Sequence, residues 1–230
     1  MSRSFWIWTA LFVVAAVVRL ATLSAYPLAD TTEARYGEVA RLMLESGDWI
    51  MPQIEAGVPF WGKPPLSFWL TALSFRTFGV SEISARLPSF FLLLGSAGLI
   101  IRFGVVTSGS IVGMAAGTVL LTSALGFVSA GAVMTDSALV LSTTLVMVGY
   151  WRGAIGRQRR WALLMFVGLG LGLLAKGPIA WMLSLPPILA WIISRDGTLA
   201  TLRSLPWRTG LVMLAGIGVP WYVLAEHHSP

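Results

Sequence analysis

Residues 28–65 read LADTTEARYGEVARLMLESGDWIMPQIEAGVPFWGKPP, and this polar interval divides a chain that is otherwise apolar enough to lie in lipid. Of the 230 residues, 56% are hydrophobic and only 11% are charged, and the mean hydropathy is +0.79. Soluble domains carry about 25% charged residues. The composition therefore predicts an all-α integral membrane protein, in which the polar interval is where charged side chains meet water.

Apolar stretches that fit membrane helices lie on both sides of the polar interval. A transmembrane helix needs about 20 apolar residues, and the first stretch lacks a small-residue cleavage site, which predicts a retained helix. We predict seven spans, at residues 5–23, 87–101, 111–129, 136–151, 161–174, 179–193 and 209–225. Residues 161–193 also fit a helical hairpin bent at Gly177-Pro178. Residues 24–86 then form one large loop after the first span, within a single membrane domain over residues 1–230.

The charges follow the positive-inside rule, by which short cytoplasmic loops are rich in Lys and Arg. Strict alternation from a cytoplasmic N-terminus puts these arginines on the cytoplasmic side: Arg102, Arg152, Arg157, Arg159, Arg160, Arg195, Arg203 and Arg208. It leaves only Asp196 among the acids there, and puts on the outer side Asp30, Glu33, Glu38, Glu45, Asp48, Glu55, Glu82, Asp136 and Glu226. The net charge of +6 is thus explained by topology, and we expect no nucleic-acid partner.

The first half of the large loop predicts an amphipathic helix. Asp30 or Thr32 caps its start, Glu33 is the partner in a capping box, and Gly47 ends it. An apolar stripe at helical spacing, typical of a helix lying in a membrane interface, is formed by Tyr36, Val39, Ala40 and Met43.

The second half of the loop predicts another interfacial helix, beginning at Pro64-Pro65 and ending near Gly79. Its apolar stripe consists of Leu66, Trp69, Leu70 and Leu73. Between the two helices, the turn-rich residues 57–65 present one lysine, Lys63.

Asp30 and Glu33 have two interpretations. As N-cap and reciprocal partner they stabilise the helix by about 1 kcal/mol and need no function. A carboxylate at a membrane surface can also act as a general base, accepting a proton from an attacking hydroxyl or amine. The residues by themselves leave both interpretations open.

Four further charged residues are candidates for the same outer face. Lys63, at a helix start, favours an anion such as a lipid phosphate, or anchors the loop by snorkelling. Asp136 opens the fourth span as a cap or as a functional intramembrane acid. Lys176 interrupts an apolar stretch, as interfacial anchors do, and Arg35 adds positive charge or pairs with acids on its own helix. Their convergence on one face favours a site.

Several other kinds of site are absent from the sequence. Without cysteine there is no disulfide framework or thiolate metal site. His227 and His228 are adjacent and so do not share a helix face, and we predict no metal site. The sequence has no P-loop, no GxGxxG after a strand and no HExxH.

Five motifs follow one another in a fixed order: D-x-x-E-A-R-Y at residues 30–36, M-L-E-S-G-D-W at 43–49, V-P-F-W-G-K-P-P-L at 58–66, F-G-V at 78–80 and A-R-L-P-S at 85–89. They resemble the first periplasmic loop of bacterial lipid-linked glycosyltransferases of the GT-C class. Thr135-Asp136 and L-A-K-G-P at 174–178 match later landmarks. The resemblance covers most of the chain, and the class includes protein O-mannosyltransferases and lipid A aminoarabinose transferases.

The resemblance implies a GT-C type helical bundle in the bacterial inner membrane, with the active site on the periplasmic side. It implies inverting transfer of a sugar from a polyprenyl-phosphate carrier to lipid A, another glycolipid or a protein. Asp30, with Glu33 as the alternative, would be the base, and Asp136 would organise the acceptor or the base. Lys63 would hold the carrier phosphate, with Arg35 and Lys176 as weaker candidates. No cofactor is required, and a divalent cation is compatible.

Two positions depart from the family pattern. Thr32 stands where the family often has Asp, which displaces the predicted base to Asp30. Gly62 stands where aminoarabinose transferases have Glu, which argues against their particular sugar. The chain corresponds to the N-terminal half of such enzymes. The alternatives are a transporter or flippase of lipid-linked sugars and a non-catalytic membrane fragment. Clustering of charge at one surface favours the transferase over translocation.

Overall fold

The computed structural model describes residues 2–194 and 199–228. Its helices are α1 Arg3–Ala21, α2 Thr31–Ser46, α3 Leu66–Phe78, α4 Glu82–Ser108, α5 Ser110–Thr122, α6 Ala124–Ser129, α7 Asp136–Tyr150, α8 Arg159–Lys176, α9 Ile179–Ser194, α10 Leu199–Arg203 and α11 Trp207–His228. A π-helical segment, Trp151–Ile155, continues α7. Two short strands, β1 Gln53–Glu55 and β2 Val58–Pro59, form an antiparallel hairpin. The chain divides into two compact units, Met1–Ala138 and Leu139–Pro230.

The predicted helical membrane class is confirmed. Among the described residues, the helices long and apolar enough to cross a bilayer are Arg3–Ala21, Glu82–Ser108, Asp136–Ile155 and Trp207–His228. The predicted spans at 161–174 and 179–193 are also helices, α8 and α9, but α9 has only 16 residues. The chain breaks between α8 and α9 at Gly177, whose φ is +67°.

The expectation of one continuous span over residues 111–129 is wrong. The helix breaks at Ser123, whose backbone is extended (φ −61°, ψ 147°). The Ser123 hydroxyl accepts a hydrogen bond from the N–H of Gly126 at 3.2 Å and so caps the start of α6. Because α5 has only 13 residues, it is about 20 Å long, short of the bilayer core of about 30 Å.

Both predicted helices of the polar interval are present, and their local signals account for their ends. The Asp30 side chain caps α2, Gly47 ends it in the left-handed conformation at φ +70°, and α3 runs from Leu66 to Phe78 with Gly79 as its C-cap. The stripe predicted on α2 is buried, with Val39 and Ala40 fully inaccessible. It packs against protein, in a core completed by Phe68, Ala72, Phe75, Ala85 and Val133.

The side of α3 that packs into this core is not its leucine-rich stripe. Phe68, Ala72 and Phe75 are buried in the core, and Trp69 packs against its edge, whereas Leu73 is 51% exposed. An apolar stripe on a membrane protein need not face the protein interior, because lipid solvates it as well.

The second unit has its own core where α8 packs with its neighbours. Val146, Phe166, Leu169, Ile188 and Leu205 are buried in it. Trp181 Nε1 donates to the carbonyl of Leu169 at 3.0 Å, which fixes α9 against α8.

Candidate active site

Asp30 lies at the start of α2, where its carboxylate caps the helix. Its Oδ1 accepts the N–H of Thr32 at 2.8 Å and of Glu33 at 3.3 Å. The residue is exposed. Within residues 2–194 and 199–228, its second carboxylate oxygen, Oδ2, forms no hydrogen bond or ion pair. One oxygen therefore fixes the side chain on a rigid helix end, while the other is open to a proton.

Glu33 does not complete the predicted capping box, because its carboxylate is engaged elsewhere. Its Oε1 accepts from Arg86 Nε at 2.8 Å, and its Oε2 accepts from Arg86 Nη2 at 2.9 Å. Oε1 also accepts the N–H of Val133 at 3.0 Å. The side chains of Arg86 and Glu33 are 0% and 6% exposed, respectively. Glu33 is thus the anionic half of a buried bidentate ion pair, and both of its oxygens are occupied.

Arg86, in the second turn of α4, is the residue that sequence reasoning missed. Its guanidinium also donates to the carbonyls of Leu23 at 2.7 Å, Tyr26 at 2.8 Å and Pro27 at 3.1 Å, and it lies 4.0 Å from the centre of the Tyr26 ring. One side chain thereby joins the exit of the first span, the start of α2 and the start of α4. The signal was available: an arginine at the edge of an apolar span requires a partner.

Arg35 lies beside the ring of Phe60, which also packs on Gly62, the residue before Lys63. The Arg35 guanidinium carbon lies 5.9 Å from the Phe60 ring centre and 5.6 Å from that of Tyr36. The Phe60 ring in turn packs so closely on Gly62 that a Cβ there would lie 2.7 Å from it. Arg35 is exposed and Lys63 half-buried. Arg35, five residues after Asp30 in the chain, thus lies beside the segment that carries Phe60 and Lys63.

Asp136 is attached to the same region through the segment before it. The N–H of Val133 donates to Glu33, so the residue three positions before Asp136 lies beside the first turn of α2. Asp136 is half-buried in the first turn of α7, and Ser137 Oγ donates to the carbonyl of Ser129 at 2.8 Å. The grouping of Asp136 with Asp30 and Glu33 stays a prediction.

Lys176 ends α8, in the second unit, and is half-buried. Its grouping with the loop residues stays a prediction. Within residues 2–194 and 199–228, no three His, Cys, Asp or Glu side chains lie together in an arrangement that could hold a metal ion.

The first unit therefore presents an exposed carboxylate on a fixed helix end, and its polar loop adds two cations. The chemistry available to this arrangement is proton acceptance by Asp30 and binding of an anion by Arg35 and Lys63. With the spans, it defines a helical membrane protein whose polar site lies in a folded loop after the first span. Residues 6–229 match the family described as dolichyl-phosphate-mannose-protein mannosyltransferase (PMT), and the chain belongs to that family.

Similar proteins agree with this assignment. The chain is 29% identical to the undecaprenyl phosphate-alpha-4-amino-4-deoxy-L-arabinose arabinosyl transferase of Pseudomonas savastanoi pv. phaseolicola, covering 86% of this chain and 37% of that protein. It is 28% identical to arabinosyl transferase 2 of the same description from Pseudomonas fluorescens, covering 98% and 39%. The chain thus spans about two fifths of the length of these relatives.

A solved structure confirms the fold. ArnT from Cupriavidus metallidurans bound to undecaprenyl phosphate matches with a TM-score of 0.88 and 26% identity, covering 100% of this chain and 43% of that one. The apo structure of the same protein matches with a TM-score of 0.82 over 97% of this chain. The predicted GT-C type membrane fold is therefore confirmed.

Proposed function

We propose that the protein carrying this chain transfers a sugar from a polyprenyl-phosphate carrier to a lipid or protein acceptor. Membership of the PMT family and likeness to a structure bound to undecaprenyl phosphate support a lipid-linked donor. The observation that carries the proposal is the exposed Asp30 carboxylate, held by one oxygen on α2 with the other open, beside a loop that presents Arg35 and Lys63.

The proposed reaction is a single displacement with inversion at the anomeric carbon. The acceptor oxygen forms a bond to that carbon as the bond to the carrier phosphate breaks. The acceptor proton passes to Asp30 Oδ2, and the polyprenyl phosphate leaves as an anion. Lys63 and Arg35 stabilise the charge that develops on the departing phosphate.

Asp30 is the better candidate for the base than Glu33. Both oxygens of Glu33 are occupied by Arg86 and the N–H of Val133, in a buried pair. A proton taken up there would leave the Arg86 cation uncompensated, which is strongly unfavourable. We assign Glu33 a positioning role, Asp136 the orientation of the acceptor or the base, and Lys176 a supplementary contact to phosphate.

The relatives' names point to undecaprenyl phosphate as the carrier and 4-amino-4-deoxy-L-arabinose as the sugar. Gly62 replaces the Glu expected of aminoarabinose transferases, and a Cβ there would collide with the Phe60 ring. We therefore propose an undecaprenyl-phosphate donor with a different sugar, and lipid A or another envelope glycolipid as acceptor. We infer a site at the periplasmic face of the inner membrane, which is supported by the excess of arginine predicted on the opposite side.

The test compares two Asp→Asn variants of the full-length protein. Asn keeps an acceptor oxygen for the helix cap but is not a base, so Asp30→Asn should fold normally and lose activity by about 100-fold or more. Asp48→Asn is the matched control, because Asp48 Oδ1 also accepts two backbone N–H groups, those of Ile50 and Met51 at 2.9 and 3.0 Å.

The readout is a mass spectrum of envelope glycolipids and glycoproteins, together with transfer from a purified undecaprenyl-phosphate sugar. A product lost in the deletion strain and in Asp30→Asn, and kept in Asp48→Asn, supports the transferase and identifies the mass of its sugar. Full activity of Asp30→Asn would refute Asp30 as base. An unchanged spectrum in the deletion strain, with no transfer in vitro, would refute the transferase.

A further inference from the structure

A polar cavity lies in the second unit, Leu139–Pro230. It has a volume of about 690 Å³ and lies where the π-helical segment ends and where α8 and α11 begin. Its lining includes Arg157, Arg159 and Arg208, all exposed, together with Leu205 and Trp207. Three guanidinium groups around one cavity indicate an anionic ligand.

The charge around this cavity is not neutralised by the parts of the chain that the structure describes. Between Asp136 and Glu226, the sequence contains eight Lys or Arg residues and one acid, Asp196. In residues 139–194 and 199–228, no carboxylate forms an ion pair with an arginine of this cavity. Arg152 Nη1 and Trp161 Nε1, both close in sequence, are buried donors without an acceptor there. This end of the unit has donors in excess.

Arg157 is held in a backbone conformation that arginine rarely adopts. Its φ is +53°, the one positive value at a residue other than glycine in the described ranges. The left-handed region is unfavourable for residues with a Cβ, and glycine would occupy it freely. The strained position is thus occupied by a cation that lines the cavity, as at sites where strain accompanies function.

An apolar groove of about 370 Å³ adjoins the basic cavity, and the two share Leu205 and Trp207 as a common wall. Aliphatic and aromatic side chains line the groove, among them Phe166, Leu185, Leu189 and Leu211. Leu189 and Leu211 are 52% and 50% exposed. A ligand that fits both spaces has an anionic head and a hydrocarbon tail.

We propose that this paired cavity binds an anionic glycerophospholipid of the surrounding leaflet, with its phosphate among Arg157, Arg159 and Arg208 and an acyl chain in the groove. Basic pockets between membrane helices on the arginine-rich side are suited to such headgroups. The site is separate from the proposed carrier phosphate contact at Lys176, which ends α8. Arg159 and Lys176 are the two ends of the 18-residue α8 and lie about 26 Å apart along the helix.

The test is native mass spectrometry of the full-length protein in detergent, titrated with dioleoyl phosphatidylglycerol, dioleoyl phosphatidylcholine or undecaprenyl phosphate. We expect phosphatidylglycerol to bind at least about tenfold more tightly than phosphatidylcholine. Loss of two headgroup contacts in Arg159→Gln/Arg208→Gln should weaken phosphatidylglycerol binding by about 30-fold. The control Arg160→Gln/Arg203→Gln removes the same charge from neighbours outside the cavity lining and should change binding by less than about threefold.

Two further variants separate the headgroup site from the groove and from any loss of folding. Arg157→Gly relieves the backbone strain, so it should raise the melting temperature while weakening phosphatidylglycerol binding by about fivefold. Leu189→Trp fills the groove and should also weaken phosphatidylglycerol binding by about fivefold. Leu183 is exposed on the same helix but lies outside the groove, so Leu183→Trp should leave that binding unchanged.

Four results would overturn the proposal. The first is an equal loss of phosphatidylglycerol binding in the two double variants, and the second is equal binding of phosphatidylglycerol and phosphatidylcholine. The third is a protein that binds undecaprenyl phosphate but not phosphatidylglycerol, and the fourth is phosphatidylglycerol binding that Leu189→Trp does not change. Equal losses in the double variants would indicate diffuse electrostatics, and equal binding of the two phospholipids would indicate a site that does not recognise headgroup charge. The third result would indicate the carrier lipid, and the fourth a free anion site.

Discussion

Replacing Glu33 by Gln should destabilise the protein far more than the same change at an exposed acid of the same helix. Glu33 accepts three hydrogen bonds, two of them from Arg86, in a pair whose side chains are 0% and 6% exposed. Gln has one acceptor oxygen and presents an NH2 group to a guanidinium that cannot accept. The Arg86 cation then stays buried without a counterion.

The expected magnitude follows from that uncompensated charge. Breaking a buried pair by removing one partner costs about 3–5 kcal/mol. For a chain of this size, about 3 kcal/mol lowers the melting temperature by at least about 6 °C. Glu38→Gln is the control, because the Glu38 side chain is 45% exposed and pairs with Arg41 at the surface, where such pairs contribute at most about 1 kcal/mol.

The measurement is the melting temperature of each variant in detergent, followed by fluorescence-detected size exclusion. A double variant, Glu33→Leu with Arg86→Met, separates the loss of the ion pair from the loss of the hydrogen bonds that Arg86 donates to carbonyls. Hydrophobic replacement of a buried pair is often neutral, but here the carbonyls of Leu23, Tyr26 and Pro27 would lose their donor. We therefore expect the double variant to be destabilised as well. A Glu33→Gln shift no larger than that of Glu38→Gln would refute the reasoning.

Three smaller effects can be measured in the same assay. Hydrogen bonding from Arg41 lowers the pKa of the Glu38 carboxyl. The stability that this pair contributes is therefore present above about pH 4.3 and is lost as the pH falls through the lowered pKa. The fall of the melting temperature in acid should be slightly shallower in Glu38→Gln. Gly131→Ala places a Cβ 1.8 Å from Arg19 Nη2, which should cost about 1–3 kcal/mol, and an unchanged melting temperature would contradict that collision. Gly98→Ala, in mid-helix with nothing within 4 Å of the new Cβ, should instead stabilise by about 0.5–1 kcal/mol, and a loss of stability there would contradict the open space beside Gly98.

Signals carried by neighbouring residues predicted most of the local structure. The cap at Asp30 and the left-handed stop at Gly47 depend on backbone groups within three or four residues, so the sequence pattern was sufficient. The same holds for the break at Gly177. The break at Ser123 was missed because hydropathy does not register a hydroxyl that caps a new helix.

Interactions between distant residues could not be predicted in the same way. Glu33 and Arg86 are 53 positions apart, and their pairing depends on how α2 and α4 pack. The capping-box pattern at Glu33 was therefore assigned to its nearest partner, which was wrong. On α3, Leu73 belongs to an apolar stripe, and lipid solvates such a stripe as well as a protein core does. Hydrophobicity alone therefore could not show that the face with Phe68 is the buried one.

The contacts of Arg86 also constrain the order of events during synthesis. The carbonyls of residues 23–27 and the carboxylate of Glu33 share one donor group that emerges about sixty residues later. Until α4 begins to form, the Glu33 carboxylate lacks the arginine that neutralises it in the folded protein. The carbonyls of residues 23–27 lack their hydrogen-bond donor over the same period. The nascent loop should therefore stay open and accessible to protease until Arg86 has left the ribosome, and close in one step afterwards.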